Sequence, residues 1–122
     1  MDFEAAKDAC RTFPGCTEDI KWDHDIVFSV GGKMFAATNA SAPAEGFSFK
    51  VEDERFLELT DRPGIVPAPY LARAKWVYVT GEAALDDGEA AALLRRSYEL
   101  VFAKLTRKLQ REINELTGSE AS

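Results

Sequence analysis

The segment Phe28 to Ala36, FSVGGKMFA, contains a fragment of the loop that binds nucleotide phosphates, namely Gly31-Gly32-Lys33. A complete loop has the pattern GxxxxGK[ST] between a strand and a helix, because its amides hold the phosphates and its hydroxyl reaches magnesium. Here Val27 replaces the first glycine, Met34 replaces the hydroxyl residue, and a strand-like run follows. The sequence therefore predicts a two-residue β-hairpin at Gly31-Gly32, with Lys33 exposed beside its tip.

His24 is the only histidine of the chain, and it lies in Asp23-His24-Asp25. Three adjacent residues in a tight turn cannot all point at one metal ion, and no second cluster completes a site. We interpret this segment as a solvated turn over residues 23 to 25. A nucleophile elbow is also absent from the sequence. We therefore predict that the protein is not an enzyme and binds no metal or other cofactor.

Two acidic clusters could carry out acid–base or metal chemistry. Both clusters lie where helices are predicted to begin, and carboxylates there cap the helix and interact favourably with its dipole. We interpret both as structural. The clusters are Asp53, Glu54 and Glu58, and Asp86, Asp87 and Glu89.

Basic residues near strand ends and loops are the second chemical feature. Lys33, Lys50, Arg73 and Lys75 form this group, and Trp76 and Tyr78 alternate on the strand that starts at Lys75. Aromatic side chains among basic ones can stack on nucleobases. The alternative is that Trp76 and Tyr78 pack in the core.

A basic stripe is predicted on the last helix. Its members, Lys104, Arg107, Lys108 and Arg111, are spaced at i, i+3, i+4 and i+7. A solvated face suited to the C-terminal half of a helix explains this stripe, and a functional role stays open.

The composition indicates one ordinary domain. The chain has 122 residues, 46% of them hydrophobic, and we assign residues 1–116 to the domain and 117–122 to a flexible tail. The net charge of −6 weighs against a protein that coats DNA without sequence preference, but a local basic patch is compatible with it. Neither a membrane-spanning run nor a secretory signal is recognisable, so we expect a cytoplasmic protein that does not enter membranes. Cys10 is expected to be a buried, unreactive thiol.

The hydrophobic pattern predicts the elements that position these residues. A helix is expected over residues 3–13 with Asp2 as its N-cap, then a short helix over 52–62, and a long helix from Asp87 to about Leu116. Strands are expected over 17–22, 26–30, 33–38, 47–51 and 75–79, with an extended link over 65–74. This order predicts an α+β fold in which an antiparallel sheet packs against helices on one face.

Several segments form a characteristic ordered set. They are Pro14-Gly15 after the first helix, Trp22, VFSVGGKMFA, FSFKV before an acidic helix start, RPGIVPAPYLARAKWVYV and LLRRSYELVFAKL. In this order the chain, over roughly residues 3 to 110, resembles the MmcQ/YjbR family of small bacterial proteins, whose fold is CyaY-like (frataxin-like). The resemblance implies an antiparallel sheet packed against helices from the two ends of the chain.

The resemblance also implies a proposed "double wing" role, in which loops that project from the sheet contact DNA. The matching positions lie around Lys33 and around Arg73, Lys75 and Trp76. Family members often have His-Trp where this chain has Lys75-Trp76, so no role of that histidine is transferred. The family brings no catalytic residues, and the acids near 52–58 and 86–89 do not match the iron-binding acids of frataxins.

The leading hypothesis is a monomeric, non-enzymatic binding module that contacts DNA through Lys33, Lys50, Arg73, Lys75 and Trp76. The alternative is a protein–protein or small-ligand module that uses the sheet face and the proline-rich segment 63–72. Net acidity is no obstacle to this alternative. An enzyme is the third and least supported hypothesis.

Overall fold

The computed structural model describes residues 1–21, 25–39, 46–69 and 71–121. The helices in these ranges are α1 (Phe3–Thr12), α2 (Asp53–Thr60), α3 (Asp87–Phe102) and α4 (Arg107–Ala121). The strands are β1 (Cys16–Lys21), β2 (Asp25–Val30), β3 (Lys33–Asn39), β4 (Gly46–Lys50), β5 (Ile65–Pro67) and β6 (Trp76–Val79). Short 3₁₀ turns at Ala72–Ala74 and Glu82–Ala84 precede β6 and α3.

The described strands form one antiparallel sheet in the order β1-β2-β3-β4-β6-β5. Strands β1 to β4 are a meander, and β6 then pairs with β4 and leaves β5 at the edge. The predicted α+β class with an antiparallel sheet is confirmed. The more specific likeness to CyaY stays a prediction.

The hairpin predicted at Gly31-Gly32 is present between β2 and β3. Gly31 and Gly32 have φ angles of +58° and +79°, and Val30 pairs with Lys33 across the turn. Two successive positive φ angles define the turn type that matches the twist of a two-residue hairpin, and glycine adopts them without steric cost. A phosphate-binding loop is excluded at this position because a strand follows the glycines.

The core lies between the sheet and helices α1 and α3. Phe28 and Phe47 stack in its centre with 6.4 Å between ring centroids, and Phe3 of α1 packs on Phe47. Each fully buried aromatic side chain of this kind contributes roughly 1.5–3 kcal/mol. Asp2 caps α1 by accepting hydrogen bonds from the amides of Glu4 and Ala5, as the sequence predicts.

A bulge in β3 explains why a serine is buried in the core face of α3. Phe35 is the extra residue where the β2–β3 register shifts, and its carbonyl oxygen accepts a hydrogen bond from Ser97 Oγ at 2.6 Å. The Lys50 amide at the end of β4 donates to the same hydroxyl at 3.0 Å. Ser97 is fully buried, so one side chain satisfies two backbone groups that the sheet leaves without partners.

The single long helix predicted over residues 87 to 116 is wrong. The structure divides it into α3 and α4, with a break at residues 103–106. Thr106 begins the new helix, since its hydroxyl accepts from the Leu109 amide at 3.2 Å. The Gln110 side chain donates to the carbonyl oxygens of Phe102 and Leu105, and these bonds satisfy the end of α3.

Three smaller differences from the sequence predictions concern strands and turns. The link over 65–74 contains a short edge strand, β5, and β6 begins at Trp76 because Lys75 is left-handed. Asp25, expected in a turn, is the first residue of β2, while residues 22–24 lie outside the described ranges. Helix α4 extends to Ala121, into the segment predicted to be a flexible tail, and that flexibility stays a prediction.

Candidate nucleic-acid interface

The strand topology gathers the predicted basic residues at one end of the sheet. At this end β2 and β4 finish and β3 and β6 begin, so Lys33, Lys50 and Lys75 lie on the same side of the molecule. Arg73 lies in the 3₁₀ turn that leads into β6. We call this region the basic end, and it comprises Lys33, Lys50, Arg73, Lys75 and Lys104.

Lys50 is the most enclosed of these cations. Its Nζ donates a 2.6 Å hydrogen bond to the carbonyl oxygen of Ala74, which ties β4 to the turn before β6. Burial lowers the pKa of Lys50, and the positive charges of Lys104 and Lys75 lower it further, against the opposing effect of Asp53. An anion bound here would relieve this repulsion.

Lys75 holds its position through an unusual backbone conformation. Its φ and ψ are 63° and 42°, and it is the one residue other than glycine with a positive φ in the described ranges. The Val51 amide donates to the Lys75 carbonyl oxygen at 2.8 Å. The Lys75 Nζ lies 5.2 Å from the centroid of the Phe56 ring, a cation–π contact that anchors the side chain on α2.

Trp76 does not present a surface on which a base could stack. Its side chain is 4% exposed, and it lies opposite Lys50 on the face of the sheet away from α1 and α3. Trp76 is therefore a packed residue, as the alternative to base stacking predicted, although it packs outside the main core. Tyr78 lies on the same face, and its side chain packs over Gly46. A Cβ at position 46 would lie 2.1 Å from the Tyr78 hydroxyl oxygen.

The break between α3 and α4 brings Lys104 to the basic end, which the sequence did not indicate. Leu105 packs directly over the hairpin tip, since a Cβ on Gly31 would lie 2.7 Å from its methyl groups. Helix α4 then runs towards Gly15, where Ile113 packs. The predicted stripe is thus not one helical face: Lys104 is in the break, and Arg107, Lys108 and Arg111 are on α4. Thr106, an N-cap residue type, was the sequence signal for this break.

The cations of the basic end differ from those of α1, α2 and α3 in their carboxylate partners, although Lys21 on β1 and the cations of α4 are also unpaired among the described residues. The cations that form ion pairs are on α1, α2, α3 and the loop after α2, and they are Lys7, Arg11, Arg55, Arg62, Arg95 and Arg96. Among the residues that the structure describes, no carboxylate lies within ion-pair distance of any cation of the basic end. Three of its side chains, Lys33, Arg73 and Lys104, are exposed and available to an external anion, whereas Lys75 is half-buried and contacts the Phe56 ring.

Members of both acidic clusters are used within the fold, although the side-chain cap expected at the start of α2 is absent from the described residues. Asp86 accepts from the Glu89 amide at 2.7 Å and caps α3, and Glu89 accepts from Arg62 at 2.8 Å. Glu58 accepts from both Arg55 and Arg62, so the network joins α2 to α3. No cluster that could hold a metal ion occurs in the described part of the chain.

We expect acid to destabilise the protein through these ion pairs. The hydrogen bond from Arg62 lowers the pKa of Glu89 below its ordinary value of 4.5, and Arg11 does the same for Glu18. The stabilisation is therefore complete above pH 4.5 and is lost as the pH falls through the lower pKa of the folded state. As the pH falls from 6 to 3, the thermal midpoint of Glu89→Gln should therefore decrease less than that of the unmodified chain. Equal decreases would contradict a contribution of the Arg62–Glu89 pair to acid sensitivity.

The two cysteines are structural. Cys10 is fully buried, as the sequence predicts, and burial raises the pKa of its thiol. Burial also raises the pKa of the half-buried Cys16 to about 11. Both thiols are therefore protonated and poor nucleophiles at neutral pH. No helix in the described ranges is long and apolar enough to cross a membrane.

Comparison with known proteins supplies a family and two structural neighbours. The family model YjbR matches residues 11–100. A crystal structure of the protein DR2400 from Deinococcus radiodurans, which carries the domain DUF419, is 29% identical, with a TM-score of 0.80 over 92% of this chain and 87% of that one. A protein from Pseudomonas syringae shares the fold at 22% identity, with a TM-score of 0.69 over 83% of this chain and 99% of that chain. No curated protein matches.

Proposed function

The chain belongs to the YjbR family, and from this premise we propose that it is a non-enzymatic module that binds DNA by its phosphate backbone through the basic end. The observation that carries the proposal is that five cations without a carboxylate partner among the described residues lie together at one end of a protein whose net charge is −6. Charge distribution, more than net charge, decides whether a polyanion can bind.

The arrangement favours phosphate over bases as the contacted group. Lys33 is the first residue of β3 after the hairpin turn, Lys104 lies in the helix break, and Lys75 precedes β6, so three separate parts of the chain contribute ammonium groups. Phosphate contacts position a protein on DNA but read no sequence. Trp76, the one aromatic residue among the predicted contact residues, is buried and does not support base stacking. The proposed binding is therefore weakly selective for sequence and strongly dependent on salt.

The test is fluorescence anisotropy of a random-sequence DNA duplex titrated with the protein from low to physiological salt. We expect binding that weakens steeply as salt rises. The double variant Lys33→Glu with Lys104→Glu should lower the slope of log affinity against log salt by about 2, because two phosphate contacts are lost. Both side chains are exposed and make no ion pair among the described residues, so the fold should tolerate the changes.

The matched control carries the same change of net charge outside the basic end. It is the double variant Lys21→Glu with Arg95→Glu, in which Lys21 is exposed and lies across from Asp25 of β2 at the opposite end of the sheet, and Arg95 on α3 is paired with Glu99. If the control loses binding as strongly as the test variant, net charge alone governs the interaction and the proposed site is wrong. Absence of binding at low salt would reject a DNA role and favour a protein or small-ligand module.

A further inference from the structure

Strand β1 is an edge of the sheet, and it is unusually open. It pairs with β2 on one side only, and Thr17 to Lys21 are all exposed. Ile20 is 72% exposed at this edge, which makes it one of the most exposed large apolar side chains in the described ranges. Edge strands of this kind can pair with a further strand unless charge or proline prevents it.

The hairpin between β2 and β3 determines which residues of β1 have backbone N–H and C=O groups that point away from the sheet. A two-residue turn makes Val30 and Lys33 a hydrogen-bonded pair, so the backbone groups of Val30 face β3 and those of its neighbour Ser29 face β1. By alternation, the amide and carbonyl of Ile20 face away from the sheet. The Cys16 amide is consistent with this alternation, because it donates to the Phe13 carbonyl oxygen and not to a residue of β2.

Charge selects one register for pairing of this edge with an identical strand. An antiparallel pair centred on Ile20 places Asp19 of each copy opposite Lys21 of the other, on the same face, and places Ile20 opposite Ile20. A pair centred on Asp19 would oppose Asp19 to itself, and one centred on Glu18 would oppose Glu18 to itself. The register centred on Ile20 is the one of these three without like charges at its centre.

We propose that β1 is a self-association surface, on which a second copy of this chain pairs antiparallel about Ile20 and extends the sheet across a two-fold axis. The two Ile20 residues exchange amide-to-carbonyl hydrogen bonds, and two Asp19–Lys21 ion pairs flank them. This interface is independent of the basic end, and the monomer that the sequence predicts is the alternative to it. Its small size implies weak association.

Sedimentation velocity up to about 1 mM, a concentration at which millimolar dissociation constants are detected, tests the proposal. The unmodified chain should show a reversible dimer. Asp19→Lys places lysine opposite Lys21, and Lys21→Glu places glutamate opposite Asp19. Each variant alone should weaken self-association at least about tenfold, because two attractive pairs become repulsive.

Mixing the two variants is the decisive measurement. In the mixed dimer, the lysine introduced by Asp19→Lys opposes the glutamate introduced by Lys21→Glu, and the native Lys21 opposes the native Asp19. Association should therefore return in the mixture. Thermal unfolding of each variant establishes that both are folded, and Ile20→Pro, whose lost amide faces outward, should also remove the dimer. A monomer at every concentration, or folded variants that associate as strongly alone as when mixed, would overturn the proposal.

Discussion

Replacing Ser97 by alanine should destabilise the protein by about 2–4 kcal/mol, because two buried backbone groups lose their partner and each costs about 1–3 kcal/mol when unsatisfied. The Phe35 carbonyl oxygen and the Lys50 amide both bond to this one hydroxyl. Water cannot replace it easily, since Ser97 is fully buried against the bulge. The loss is therefore larger than that of an ordinary hydrogen bond on the surface.

Urea unfolding measures this effect, and Ser48→Ala provides the matched control. Ser48 is on β4, half-buried on the other face of the sheet, and its removal should change the free energy of unfolding by less than about 1 kcal/mol. Because Ser97 positions the end of β4, the variant should also increase hydrogen exchange at the Lys50 amide. Equal effects of the two substitutions would show that the bridge from α3 to the bulge contributes little.

Gly31→Ala is expected to have a comparable effect at the hairpin tip, about 2–4 kcal/mol. The φ of +58° costs an alanine roughly 1 kcal/mol, and the new Cβ would lie 2.7 Å from both Leu105 methyl groups. Leu105 must then move, and Lys104 moves with it. The substitution should therefore weaken DNA binding in addition to stability if the basic end acts as proposed.

Gly32→Ala separates the backbone contribution from the clash. Gly32 has a φ of +79°, and within the described structure a Cβ there would meet nothing within 4 Å beyond its own chain neighbours, so its substitution should cost only about 1 kcal/mol. The double variant Gly31→Ala with Leu105→Ala should be less destabilised than the sum of its single variants, because the clash is gone. Strict additivity in thermal and urea unfolding would contradict the contact between hairpin and linker.

Local chemistry made part of the fold predictable. The glycines of the β2–β3 turn require positive φ, and Asp2 and Asp86 are preferred N-cap residues, so each signal lies within a few residues of the structure that it determines. The predicted basic residues Lys33, Lys50 and Lys75 are brought to one end because the antiparallel pairing of short strands leaves few other arrangements. Their binding role stays a prediction.

Contacts between distant residues were not predictable in this way. Apolar residues recur at helical spacing from Leu94 to Leu109, so this pattern predicts one continuous helix. Leu105 continues the pattern although it lies in the break at residues 103–106, because it is buried against Gly31 and not against a neighbouring turn of helix. The burial of Trp76 depends on which face of the sheet is covered, and the alternating pattern of one strand does not reveal that. Ser97 is a polar residue on a core-facing stripe, and only the bulge in β3 explains it.

The basic end is a local cluster of five cations without carboxylate partners among the described residues, on a chain whose net charge is −6. At distances beyond the Debye length, about 10 Å at 0.1 M salt, the net charge of −6 repels a polyanion, whereas at contact the basic end attracts it. Added salt screens the distant repulsion as well as the attraction at contact. If the basic end binds DNA as proposed, productive encounters are those in which this end faces the DNA, and the rate of encounter and the lifetime of the complex should respond to salt in opposite directions.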